Sequence, residues 1–329
     1  MNRSTSSRQR RRWMAAAVLT TVFAGPVLAQ GSYPQRPIAL VVPNAPGGAA
    51  DSLARDIAQE LGKRLQQSVV VENAPGASGA IAAQKVLRAP ADGYTLLFGT
   101  TTELVVTPIA APASGYSAKD FAPIAKVGVT PMSVVARPSL GVSSADQLAA
   151  LARQKPNALS VGTTGNASLQ AFATVAMQRA AGIDLLPVPY KGGAPVLNDL
   201  LGGQLDLAVM ALPGALPHVR SGKLTMLGVL SEKRSSAAPE LPTMSESQSF
   251  KDVSVEIWAG VVGPAKLPAA VVDHLSAAIR EVLNDKAFNE RRAQKGDMAV
   301  PYEKPSEFAS FIQAEERRFR SLATGMKLE

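Results

Sequence analysis

Apolar positions along this chain fall into two rhythms, short strand-like runs and stripes with a helical repeat, separated by Gly, Pro and hydroxyl-rich turns. Leu40, Val41 and Val42 make the first run, and Pro43 ends it because proline has no N–H to give a strand ladder. From Leu53 the apolar residues Leu53, Ile57, Leu61 and Leu65 recur every four positions, which holds them to one face of a helix. Pro46, Gly47 and Gly48 lie between, so Leu40 to Leu65 reads as strand, glycine turn and helix, with Asp51 as helix cap and loop brace. Ser68 to Glu72 reads as the next strand, and Asn73 to Gly79 as a loop feeding a helix through Ile81, Val86 and Leu87. Tyr94 to Phe98 reads as a third strand that runs into Gly99-Thr100-Thr101-Thr102-Glu103.

A second series follows. Val127 to Val129 and Met132 to Ala136 read as strands interrupted by Thr130-Pro131, and Ser144 or Asp146 caps a helix through Leu148 and Leu151. The strand Leu159 to Gly162 leads into the polar turn Thr163 to Ser168, with Ser168 as the cap of the next helix. Asp184 to Tyr190, Leu205 to Ala211 and Leu224 to Leu230 read as strands, with a helix from Ala194 to Leu201, while Ser231 to Ser249 is an aperiodic surface excursion. Val255 to Val262 returns as a strand. Three helical patterns close the chain, and Phe308, Ile312 and Phe319 of the last are expected to dock on the first series. Alternating strands and helices predict an α/β fold on mostly parallel sheets, whose ligands bind at the C-terminal ends of the strands. The expected domains are 30–129 with 254–329, and 130–253.

The N-terminus changes the reading of charge. Five arginines, an uncharged run from Trp13 to Phe23 and Val27-Leu28-Ala29 form a secretory leader, expected to be cleaved after Ala29 to leave an exported protein. Of 34 Lys plus Arg, those five leave with the leader, so 29 remain against 26 acidic residues. A net +3 without a basic run makes no case for nucleic acid. Absence of cysteine excludes thiol nucleophiles and zinc-thiolate sites. His218 and His274 lack spaced partners for a metal or general-base pattern, and no nucleophile elbow, P-loop or dinucleotide fingerprint occurs. No catalytic residue, metal or cofactor is expected, and the chain reads as a non-enzyme. What it offers instead is several strand-end turns rich in backbone N–H and hydroxyl groups with few aromatics, which suit a small carboxylate better than a sugar.

The segments VPNAPGGAAD (Val42 to Asp51), VVVENAPGASG (Val69 to Gly79), ADGYTLLFGT (Ala91 to Thr100), DFAPIAKV (Asp120 to Val127), VPYKGGAPVLNDLLGGQLDL (Val188 to Leu207), LPHVRSGKL (Leu216 to Leu224) and LPTMSES (Leu241 to Ser247) stand in that order. The chain resembles the substrate-binding proteins of tripartite tricarboxylate transporters, the Bug family, over essentially its whole length after the leader. The resemblance implies a type II periplasmic binding protein, two α/β domains joined by two crossing strands with a ligand cleft between them. It also implies a monomer that captures a small organic carboxylate and hands it to integral membrane subunits. An adaptor presenting its closed form to a sensor kinase is the alternative.

The implied ligand contacts are Ala45, Pro46, Gly47, Gly48 and Ala49 of the first loop, Thr100 and Thr101, and Thr163, Thr164, Asn166 and Ser168; Tyr190, which shares a family motif with Lys191, is either a further contact or hinge packing. Where many relatives carry an Asp-Asn pair this chain has Met210-Ala211, which makes that side of the site more apolar. Glu103 replaces a small or hydroxyl residue. It either repels a second carboxylate or pairs with a cation, unless it points to solvent.

Overall fold

The computed structural model describes residues 33–190, 192–235, 238–295 and 297–326. The leader to Ala29 and Lys191 lie outside them. Residues 33–35 are irregular, and the fold described runs from Arg36.

The first strand, β1 (Ile38–Val42), lies between β2 (Val69–Asn73) and β3 (Thr95–Thr100) and is parallel to both. Ile38, Leu40, Val41 and Val42 are all fully buried, as expected of a parallel strand covered on both faces. Helix α1 (Ala49–Leu65) connects β1 to β2, and its stripe Leu53, Ile57, Leu61 and Leu65 is buried. Helix α2 (Ala80–Leu87) leads to β3. Beyond β3 the chain forms a π-helical turn, Thr102–Val106, continuous with the short helix α3 (Thr107–Ala110).

The next strand overturns one expectation. Instead of two strands broken at Thr130-Pro131, a single strand β4 runs from Phe121 to Ala136. Its first part pairs antiparallel with β9 (Glu256–Pro264) down to the couple Pro131↔Glu256, and its second part, from Met132, pairs with β7 (Leu207–Ala211) and β8 (Thr225–Val229). Pro131 therefore stands where the strand changes partners, the place in a ladder where a missing N–H costs least.

Between β4 and β8 come α4 (Ala145–Gln154), β5 (Ser160–Thr163), α5 (Leu169–Ala181), β6 (Leu186–Pro189), α6 (Gly193–Leu201) and, after β7, α7 (Leu212–Arg220). Ser144 caps α4 and Ser168 caps α5, each accepting from a first-turn N–H. Strand β5 is parallel to β6 and β7. The full order is β2-β1-β3-β9-β4-β7-β5-β6, with β8 also on β4, so β4 and β9 link two groups of strands. Among the described residues no helix is long and apolar enough to cross a membrane.

Helices α8 (Ala269–Leu283), α9 (Lys286–Gln294) and α10 (Pro305–Ala323) finish the chain. Helix α10 reaches further than its sequence suggested. Phe308 packs edge-on against Trp258 of β9 with ring centroids 5.8 Å apart, but Phe319 meets Phe172 of α5 at 5.3 Å. Arg179 of α5 reinforces that second contact by donating to the Ser321 carbonyl at 2.9 Å and to that of Thr324.

Glu256, at the start of β9, is pushed up to about 7 by burial, with Glu232 and Glu315 adding to the shift against Arg318 and Lys126. A carboxyl raised in the folded state favours folding below its unfolded value of 4.5, and that advantage disappears as pH rises through about 7. Glu256→Gln is therefore expected to stabilise the protein by roughly 1–3 kcal/mol at about pH 8 and hardly at all near pH 4.5. Urea unfolding at both pH values checks this; an equal effect at the two would contradict it.

Candidate functional site

The C-terminal ends of β1 and β3 face those of β5 and β7 across a cleft. At its mouth is a cavity of about 500 Å³ lined by Asn44, Ser78, Gly79, Thr102, Glu103, Ile257 and the turn Thr164 to Gln170. Beneath it is a pocket of about 220 Å³ lined by Ala49, Ala50, Leu53, Thr100, Thr102, Gly128, Thr130, Ala211, Ile257 and Ala259. The two adjoin, sharing Asn44, Thr102 and Ile257.

Helix starts converge on this space. The first turn of α1 supplies Ala49 and Ala50 to the inner pocket, and the first turn of α5 supplies Leu169 and Gln170 to the outer cavity. First-turn N–H groups have no acceptor within their own helix and carry the positive end of its dipole, so both walls favour an anion. Among the described residues neither wall carries a lysine, arginine or histidine, and Glu103 is the single ionisable group on them. Nor does any group of acidic, histidine or cysteine side chains there form a metal site.

The loop before α1 is held by a small polar network. Asp51 accepts from the Gly47 N–H and from Arg55 Nε, both at 2.9 Å, and from Asn73 Nδ2 at 2.8 Å. Asn73 Nδ2 also donates to the Asn44 carbonyl. With Arg55 the largest influence, these bonds hold the Asp51 carboxyl down at about 2 although it is buried. The helix-cap role expected of Asp51 is corrected: α1 begins at Ala49 behind Gly48, and Asp51 sits inside its first turn, reaching back to brace the loop.

A model of the tripartite tricarboxylate transporter family receptor matches residues 53–328. The chain belongs to this family. It is 34% identical to protein BugT of Bordetella pertussis over 95% of this chain and 96% of that protein. It superimposes with a TM-score of 0.76 on an R. palustris protein solved with adipate, at 31% identity over 89% of this chain and 97% of that one. Against MatC of Rhodopseudomonas palustris, solved with bound malate, the TM-score is 0.73 at 27% identity over 88% and 99%. The two-domain periplasmic binding fold expected from the sequence is the fold of these receptors.

In this receptor the residues implied by resemblance divide by position. Ala49, Thr100, Thr164, Asn166, Ser168 and Ala211 line the cleft. Ala45, Pro46, Gly47 and Gly48 are exposed on the loop outside both linings, and the Gly47 N–H is consumed by Asp51. Thr101 turns away. Its hydroxyl accepts from the Trp258 N–H at 3.0 Å and donates to the Glu256 carbonyl at 3.1 Å, which ties β3 to β9. Thr163 is buried behind the turn, with its hydroxyl on the Gly165 carbonyl. Tyr190 packs on α6, donating to Asp199 at 2.6 Å, and Met210 lies outside the linings with its carbonyl bonded to Ser133.

Asn44, Ser78, Gln170, Thr130 and Ile257 reach the cleft although no sequence pattern marks them, and Thr102, of the hydroxyl run that follows β3, joins them there. Glu103 points inward, 2% exposed, and its carboxyl is raised by burial against two hydrogen bonds from Thr100.

Proposed function

We propose that this receptor is exported, loses its leader after Ala29, and captures a small organic carboxylate in the cleft for delivery to integral membrane subunits of its transporter. The observation that carries this reading is the lining itself: two helix starts and several hydroxyls around about 500 Å³ and 220 Å³ of space without one cationic side chain. Such a wall binds an anion through main-chain N–H groups and releases it readily, as delivery requires. The adipate and malate held by similar proteins support a carboxylate ligand. The lobe that includes β1–β3 and the lobe that includes β5–β8 would close by bending of β4 and β9.

A thermal-shift screen of small carboxylates, with sugars and amines as controls, tests this. A ligand present at about a hundred times its dissociation constant adds roughly 2.7 kcal/mol of stability, a clear rise in midpoint. A rise with sugars or simple amines and none with any carboxylate would overturn the reading.

A further inference from the structure

Glu103 is built into the cleft. Both hydrogen bonds from Thr100, the N–H at 2.9 Å and the hydroxyl at 2.6 Å, end on Oε2. The side chain lies where Gly79 leaves room for it, because a Cβ at Gly79 would come within 2.1 Å of Glu103 Cγ. Gly79 also has φ +85°, a conformation that other residues adopt at a cost, so two features at that position keep the space open. Oε1 lies beside Gly79 on the same cavity wall, and neither hydrogen bond from Thr100 ends on it. Among the described residues no lysine or arginine pairs with this carboxyl. A buried acid without a cation is an unusual wall for a receptor of anions.

The position relates it to the ligand's far end. Thr100 lines the inner pocket beside the first turn of α1 and hydrogen-bonds Glu103, which lines the outer cavity, so a molecule with its carboxylate in the inner pocket extends past Glu103. Resting on the carboxylate-receptor reading above, we infer that Glu103 is a specificity residue: this receptor takes an amino-carboxylate whose ammonium meets Glu103, and disfavours a dicarboxylate. An ammonium supplies the counter-charge that lets this buried carboxyl ionise, whereas a second carboxylate offers it none and brings its own negative charge into a poorly solvated wall.

Matched ligands test this in the purified receptor by calorimetry: β-alanine, γ-aminobutyrate and δ-aminovalerate against succinate, glutarate and adipate, with propanoate, butanoate and pentanoate as neutral-ended references. The wild type is expected to bind the best amino acid at least roughly tenfold more tightly than its dicarboxylate and monocarboxylate counterparts. Glu103→Gln, which keeps an acceptor for Thr100, is expected to bring that ratio to within about threefold. Dicarboxylates or monocarboxylates binding the wild type as tightly as the amino acids would overturn the inference while leaving a carboxylate receptor intact, as would an unchanged ratio in E103Q. Should none of the three series bind while an uncharged solute does, the carboxylate reading itself fails. The wild-type comparison stands even if the variant folds poorly.

Discussion

Ala50→Phe is expected to abolish carboxylate binding and leave the unliganded protein folded. Ala50 is in the first turn of α1 and lines the inner pocket of about 220 Å³, so a benzyl group there occupies the space beside the N–H groups proposed to hold the anion. The loss should be at least about a hundredfold in affinity, or roughly 2.7 kcal/mol. The residue is only half-buried and the added ring projects into the cleft rather than the core, so stability should change by less than about 0.5 kcal/mol. Calorimetry against the best carboxylate measures the first effect, and urea unfolding the second. Ala50→Ser, nearly the same size, should keep affinity within about threefold, and a matching loss there would mean that the pocket is not the anion site.

Gly260→Ala is expected to have the largest effect on stability. A Cβ at this position would lie 2.2 Å from Phe308 Cζ and 3.0 Å from the Ala125 carbonyl oxygen, one a fully buried ring of α10 and the other the backbone of β4. Neither has room to yield. Phe308 is held against Trp258 and Phe311, so displacing it loosens α10 along its length. The cost should be about 3 kcal/mol by chemical denaturation, at the upper end for an added methyl group in a packed core. Trp258 is the sole tryptophan outside the leader, so its near-ultraviolet signal should change as well. A variant of wild-type stability would show that α10 is not seated on this surface.

How far the sequence reveals the fold depends on how local each signal is. The stripe Leu53, Ile57, Leu61 and Leu65 and the run at β1 are read directly because one periodicity decides each. Strand β4 looked like two strands since Pro131 is a local stop signal, and the exchange of partners that tolerates it is a property of the whole sheet. The π-helical turn at Thr102–Val106 has no periodicity of its own to announce it. Helix α7 was hidden by Pro213 and Pro217, although a proline in the first turn is compatible with a helix.

The site follows the same division. Ser168 and Thr164 reach the cleft because caps and strand ends are local features, but Thr101 and Thr100 have the same chemistry and differ only in which way they face. Thr101 turned toward β9, a strand more than a hundred residues away in sequence, and no pattern around it encodes that choice. Glu103 was legible as an oddity. Its burial and its bond to Thr100 required the structure.

Main-chain N–H groups around this cleft are proposed to hold a small carboxylate. Titration calorimetry of the purified receptor with the strongest anion from the thermal screen tests it most directly, run beside Ala50→Phe. One saturable site is expected in the wild type and none in the variant. Undiminished binding in the variant, or no carboxylate binding in the wild type, would contradict it.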